Sequence, residues 1–179
     1  MPLKIILVIV TIVYPFIVYF GLAHFDSTLV MFFVIALLMI RGFTEKQKNA
    51  RSVIFTSAFG VLVVAYFWGD QQGLKLYPVL VNASMLLLFA SSLYAKQSII
   101  ERMARLKEPN LPETGVQYTR KVTIVWCVFF TLNGLTALFT AFWTSNETWL
   151  FYNGFLAYLL IGLLVVIEWI VRFRVKHKV

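Results

Sequence analysis

Apolar residues run in long unbroken stretches along this chain, and polar residues are confined to the short segments between them. The stretches cover about 5–23, 28–40, 53–68, 76–95, 122–143 and 149–171. None alternates apolar and polar positions with the period of two that a lipid-facing barrel strand demands. Helices suit such runs, because they satisfy their own backbone hydrogen bonds inside a hydrocarbon core. The pattern predicts an all-α fold, a polytopic transmembrane bundle of about six spans forming one integral membrane domain over 1–179. Span 28–40 is the weakest: at 1.5 Å per residue it covers roughly 20 Å against a core of ~30 Å. A five-span arrangement therefore stands beside the six-span one. Pro15 falls inside the first span, where neighbouring helices can satisfy the carbonyl that a proline frees. That span follows Lys4 and superficially resembles a secretion signal. Its apolar part is too long for one, and no small-x-small cleavage pattern follows, so a retained signal-anchor helix is expected.

Composition supports the same class. The chain is 60% hydrophobic and 13% charged, against about 25% charged in soluble domains. The formal net charge of +8 does not point to nucleic acid, because the basic residues sit between spans. With six spans and both termini on one face, that face receives 15 of the 16 lysines and arginines, all but Lys75. The positive-inside bias then puts the N-terminus and the C-terminus in the cytoplasm. Five spans would move the N-terminus outside, misplace Lys4 alone, and leave everything after Arg41 oriented as before. Trp68, Tyr77, Trp143 and Trp149 fall at span ends where an outer interfacial belt belongs. The single cysteine, Cys127, allows neither an internal disulfide nor a cysteine metal cluster.

One polar segment is long, about 96–121. It carries Lys96, Arg102, Arg105, Lys107, Arg120 and Lys121, and Pro109-Asn110-Leu111-Pro112 breaks any continuous helix through it. Ile99, Ile100, Met103 and Leu106 form the apolar side of a short amphipathic helix there. Arg102, Arg105, Lys107, Arg120 and Lys121 are the candidate surface for anionic headgroups, at about 1 kcal/mol per basic residue, or for a cytoplasmic partner.

Inside the spans the candidates are polar and few. Glu168 is the acidic residue of the last span, and such carboxylates raise the question of ion or proton transfer. It lies four residues before Arg172, the spacing of a favourable helix pair, which favours a structural role. Asn82, Asn133 and Asn153 would line a polar path or, more in keeping with membrane helices, hydrogen-bond between helices. Cys127, Thr131, Gly134 and Ala141 make a stripe of small side chains suited to close helix packing. His24 and Asp26 share a turn, but His177 lies at the far end of the chain and no ligand set forms. No Gly-rich nucleotide loop, H-E-x-x-H or G-x-S-x-G occurs. The expectation is a protein without catalytic residues, cofactor or metal.

Lys96, Ile100-Glu101-Arg102-Met103, Leu111-Pro112, Trp126, Phe129-Phe130, Gly134, Ala141-Phe142-Trp143 and Trp149 together resemble the intracellular septation protein A family of bacterial inner-membrane proteins. The segment from Tyr118 to Trp143 also resembles a small membrane protein of bacterial gene clusters for aryl polyene pigments. The likeness is clearest over Lys96 to Val171, and Asn133 and Arg120-Lys121 fit the pigment-cluster group better. It implies a multi-pass inner-membrane protein that supports envelope integrity or septation through contacts with other membrane proteins. Alternatively, it implies a transporter or accessory for making or exporting an acyl or lipid-like product. Neither group brings catalytic residues to carry over.

Overall fold

Polar breaks at Asp26, Gln47, Gly69, Pro109–Pro112 and Ser145 cut the apolar sequence into helices, and each break is built to end one helix and begin the next. The computed structural model describes residues 14–176, without the side chains at 49, 50 and 174–176. Lys4, residues 5–13 of the first expected span, His177 and Lys178 lie outside it. Helix α1 is described over 14–24. It is followed by α2 (Ser27–Thr44), α3 (Lys48–Trp68), α4 (Asp70–Lys75), α5 (Tyr77–Ser92), α6 (Ile99–Arg105), α7 (Glu113–Trp143) and α8 (Asn146–Phe151). A π-helical turn, Tyr152–Leu156, joins α8 to α9 (Ala157–Lys176). No strand occurs among the described residues.

The caps follow from short polar side chains. Asp26 accepts the Thr28 N–H at 2.9 Å and Ser145 accepts that of Thr148 at 3.3 Å, satisfying donors that a helix start leaves free. Gly69 has φ +89°, a conformation open to glycine, and so reverses the chain between α3 and α4.

Among the described residues, four helical stretches are long and apolar enough to cross a membrane: Ser27–Thr44, Arg51–Trp68, Glu113–Trp143 and Asn146–Phe173. Helix α5 is apolar and shorter, at 16 residues. Several boundaries differ from the sequence expectation. The weak run 28–40 belongs to an 18-residue helix, roughly 27 Å long, because Arg41 and Thr44 stay helical. Thr44 Oγ1 bonds back to the Ile40 carbonyl at 2.9 Å. Helix α7 begins at Glu113 and not near Val122, since Pro112 occupies its N-cap and polar residues there are as helical as apolar ones. The segment 96–121 is therefore mostly helix, with its break at Pro109–Pro112.

The core gathers Tyr14, Val18, Val34, Val61, Leu74 and Trp149, with their neighbours, from the first four helices, the start of α5 and the far end of the α7–α8 hairpin. Helices α3 and α4 pack backbone to backbone at Gly73, where an added Cβ would stand 2.9 Å from the Val61 carbonyl oxygen. The Tyr14 hydroxyl donates to the Leu74 carbonyl at 2.8 Å, and its ring lies 4.2 Å from that of Tyr77. The Trp149 indole N–H donates to the Lys75 carbonyl at 3.1 Å. These contacts correct the aromatic belt. Trp68 and Trp143 are exposed as a belt requires, but Tyr77 is 6% and Trp149 only 1% exposed. Tyr77 packs against Tyr14 and the Trp149 indole reaches the Lys75 carbonyl, so contacts between distant segments bury both rings, which spacing along the chain does not reveal.

Candidate functional site: the capped polar segment, its groove and the polar centre

The polar segment is built around a cap. Ser98-Ile99-Ile100-Glu101 has the spacing of a capping box, and the Ser98 hydroxyl accepts the Glu101 N–H at 3.3 Å. The Ser92 hydroxyl accepts the Ile99 N–H at 3.0 Å, tying α6 back to the end of α5. Glu101 is 5% exposed and accepts from Arg105 Nε at 2.9 Å, while Arg105 Nη1 donates to the Pro109 carbonyl at 3.0 Å. Arg105 thus holds the exit of α6 in place. Arg102 and Lys107 are exposed, beside Met103 at 60% and Leu106 at 86% exposure. Arg120 and Lys121 are exposed too, but on α7, so the five basic candidates divide between α6, the turn after it and α7.

Beneath α6 lies a groove of about 530 Å³. Its walls are Met85 and Phe89 of α5, Trp126 and Phe130 of α7, and Val165 of α9, with Ala104 of α6 above. The aromatic wall is continuous, with Phe89 and Phe130 ring centroids 5.2 Å apart and Trp126 and Phe130 5.6 Å apart. Lys107, Glu108, Tyr118, Thr119, Glu168 and Arg172 form the polar part of its lining. Glu168 accepts from Arg172 Nε at 3.0 Å, the helix pair its spacing suggested. The Tyr118 hydroxyl donates to the Glu168 backbone carbonyl at 3.2 Å, fastening α9 to α7 at this end of the bundle.

The polar centre joins α5, α7 and the π-helical turn. Asn133 Nδ2 donates to Asn82 Oδ1 at 3.0 Å, and the Tyr152 hydroxyl donates to Asn133 Oδ1 at 2.8 Å. Asn82 Nδ2 donates to the Pro78 carbonyl at 2.8 Å. Asn153 is separate: its Nδ2 donates to the Trp149 carbonyl at 2.9 Å and to Thr140 Oγ1 at 3.2 Å. The three asparagines are buried and bonded between or along helices, so Asn153 does not continue a path from Asn82 and Asn133. The packing stripe of α7 also shifts from the one expected. Thr131 is exposed and Cys127 half-buried, whereas Ala141 is buried as expected, together with Thr119, Thr123, Ala137 and Thr140. Gly134 does meet a neighbour closely, with an added Cβ 3.2 Å from that of Asn82.

At the opposite end, His24 Nδ1 bonds the Phe20 carbonyl within its own helix at 2.9 Å, and Asp26 serves as a cap. The Thr28 hydroxyl donates to Asp70 at 2.6 Å, joining two turns at this end. Lys75 ends α4, outside the membrane-length helices, and is 6% exposed. Burial pushes its ammonium pKa down, and the attraction of Glu147 partly offsets that. No group of three or more His, Cys, Asp or Glu able to hold a metal occurs among the described residues.

Tyr118 and Tyr152 were missed in the sequence, because a tyrosine in an apolar helix signals nothing about which distant carbonyl it meets. The Ser98–Glu101 cap was missed too, although its S-x-x-E spacing is the signal that would have found it.

No family model matches the chain, and no solved structure matches it. Curated relatives do. An inner membrane-spanning protein YciB of Erwinia tasmaniensis is 32% identical over 113 residues, covering 61% of this chain and 61% of that protein. The YciB of Klebsiella pneumoniae is 25% identical over 154 residues, 79% of this chain and 80% of the relative. One from Escherichia coli is 27% identical over 139 residues, 72% of each. These relatives bear on the septation half of the resemblance and not on the pigment-cluster half. The long apolar helices and these relatives together make the chain a multi-pass inner-membrane protein similar to the inner membrane-spanning proteins named YciB.

Proposed function

We propose that the chain is a non-enzymatic inner-membrane protein that supports envelope integrity or septation by contacting other membrane proteins, with segment 96–121 as its cytoplasmic contact surface. One observation carries this reading. Helix α6 is fixed in place by its cap and by Arg105, yet it presents Met103 and Leu106 uncovered next to Arg102 and Lys107. A rigid, exposed, amphipathic element suits a headgroup layer or a partner's surface.

Arg102 and Leu106 are exposed and do not line the groove, so they test the surface alone. The double variant Arg102→Gln, Leu106→Gln is expected to lose site-specific photo-cross-links from α6 to neighbouring membrane proteins and to weaken complementation of a deletion strain. Reporter fusions at both termini and after Lys75 serve as the control, and should report both termini inside and Lys75 outside in the variant as in the wild type. Full complementation with unchanged cross-links would show segment 96–121 to be a topology signal only. The rival reading, an accessory for making or exporting an acyl product, draws on the apolar groove beneath α6.

A further inference from the structure

We propose that the groove beneath α6 is a binding site for one membrane phospholipid, with an acyl chain against Phe89, Trp126 and Phe130 and the phosphate at Lys107. This does not rest on the contact-surface reading: Met103 and Lys107 belong to both, but the aromatic walls lie outside that surface, and Arg102 and Leu106 do not line the groove.

Four features of the groove point to this occupant. Its volume of about 530 Å³ falls within the range of a single-ligand pocket, roughly 300–1,000 Å³. Its walls come from α5, α7 and α9, two of which include membrane-length stretches, so it opens where acyl chains are. Helix α9 contributes one wall while remaining almost wholly unburied, and Tyr118 fastens it to α7 beside Glu168. The side opening toward lipid is thus a feature of how α9 is held. Finally, the groove is amphipathic along its length, with aromatic walls and a charged rim. Among the rim charges, Arg172 is paired with Glu168. Lys107 makes no side-chain hydrogen bond or ion pair within the described part of the chain.

An acyl chain gains little by leaving the bilayer for the groove, since lipid tails are as apolar as the walls. Preference must come from the phosphate, and one basic residue at the surface gives about a fivefold bias. That sets the expected size of the effects. A second protein's helix would not need a cation at that rim, and a soluble anion would leave the aromatic wall without purpose.

The test uses the full-length protein in vesicles of phosphatidylethanolamine and phosphatidylglycerol carrying a trace of phospholipid with a diazirine in one acyl chain. After irradiation, labelled peptides are mapped by mass spectrometry. Wild-type label is expected to concentrate on peptides containing Phe89, Trp126 and Phe130, relative to the outward faces of α2 and α9. Ala104→Phe fills the groove from above and should abolish that concentration. Val165→Trp, on an exposed position of the opposite wall, should do the same and guards against a folding defect in the first variant. Lys107→Gln should lower groove labelling about fivefold and leave labelling of the outward faces unchanged. A neutral diazirine-bearing diacylglycerol should label the groove no more than the outward faces. Label spread evenly over all apolar faces in the wild type, or groove labelling unmoved by both filling variants, would overturn the proposal. Equal concentration of the diacylglycerol, or insensitivity to Lys107→Gln, would remove the phosphate from it.

Discussion

Replacing Asn133 with alanine strips a shared partner from two other elements at once. Its amide accepts from the Tyr152 hydroxyl at 2.8 Å and donates to Asn82 at 3.0 Å, at a position 6% exposed. Interhelical bonds of this kind in bilayers average about 0.6 kcal/mol and reach about 1.7. Two of them predict a loss of about 1–3 kcal/mol for Asn133→Ala. Asn82 keeps its bond to the Pro78 carbonyl, so the local geometry of α5 survives and the loss reports the bonds between elements. Tyr152→Phe removes one bond and should cost about 0.6–1.7 kcal/mol. The double variant should cost less than the sum of the singles by a similar amount, because the Asn133–Tyr152 bond can be lost only once. Reversible unfolding in mixed micelles, or steric trapping in bicelles, measures each corner of the cycle on the full-length chain. A cost below about 0.5 kcal/mol for Asn133→Ala, with the two changes additive within about 0.3 kcal/mol, would refute the bonded centre.

Gly73→Ala should destabilise by about 1–3 kcal/mol by the same measurement, because the new Cβ meets the Val61 carbonyl oxygen and Ala65, which belong to a packed helix. Gly162→Ala, where nothing lies within 4 Å, should instead be neutral or stabilising by up to about 1 kcal/mol. Lys75→Met should raise stability at pH 7, because burial outweighs the attraction of Glu147 in lowering the lysine's pKa. A group whose folded pKa is lowered by burial is fully penalised below that pKa, and the penalty fades toward the ordinary 10.5. The advantage of the variant should therefore narrow as pH rises through that window, and a less stable Lys75→Met protein at pH 7 would contradict this.

Membrane class, all-helical structure and the main breaks were legible in the sequence. Each depends on local sums: hydropathy over about 20 residues, or Pro, Gly and Ser at a helix end, act whatever the rest of the chain does. The Glu168–Arg172 pair was legible for the same reason, since both residues lie on one helix four positions apart. What the tertiary structure decided were contacts between residues far apart in sequence. Trp149 reads as an interfacial residue until Lys75, 74 positions away, accepts its N–H. Asn82 and Asn133 are separated by 51 residues, and Tyr118 by 50 from Glu168. Whether such groups meet depends on the rotation and sliding of one helix against another. In a uniformly apolar helix no polar face sets that rotation. The register is set by small-residue packing and by the buried hydrogen bonds themselves, so the groove beneath α6 exists only once α5, α7 and α9 have docked.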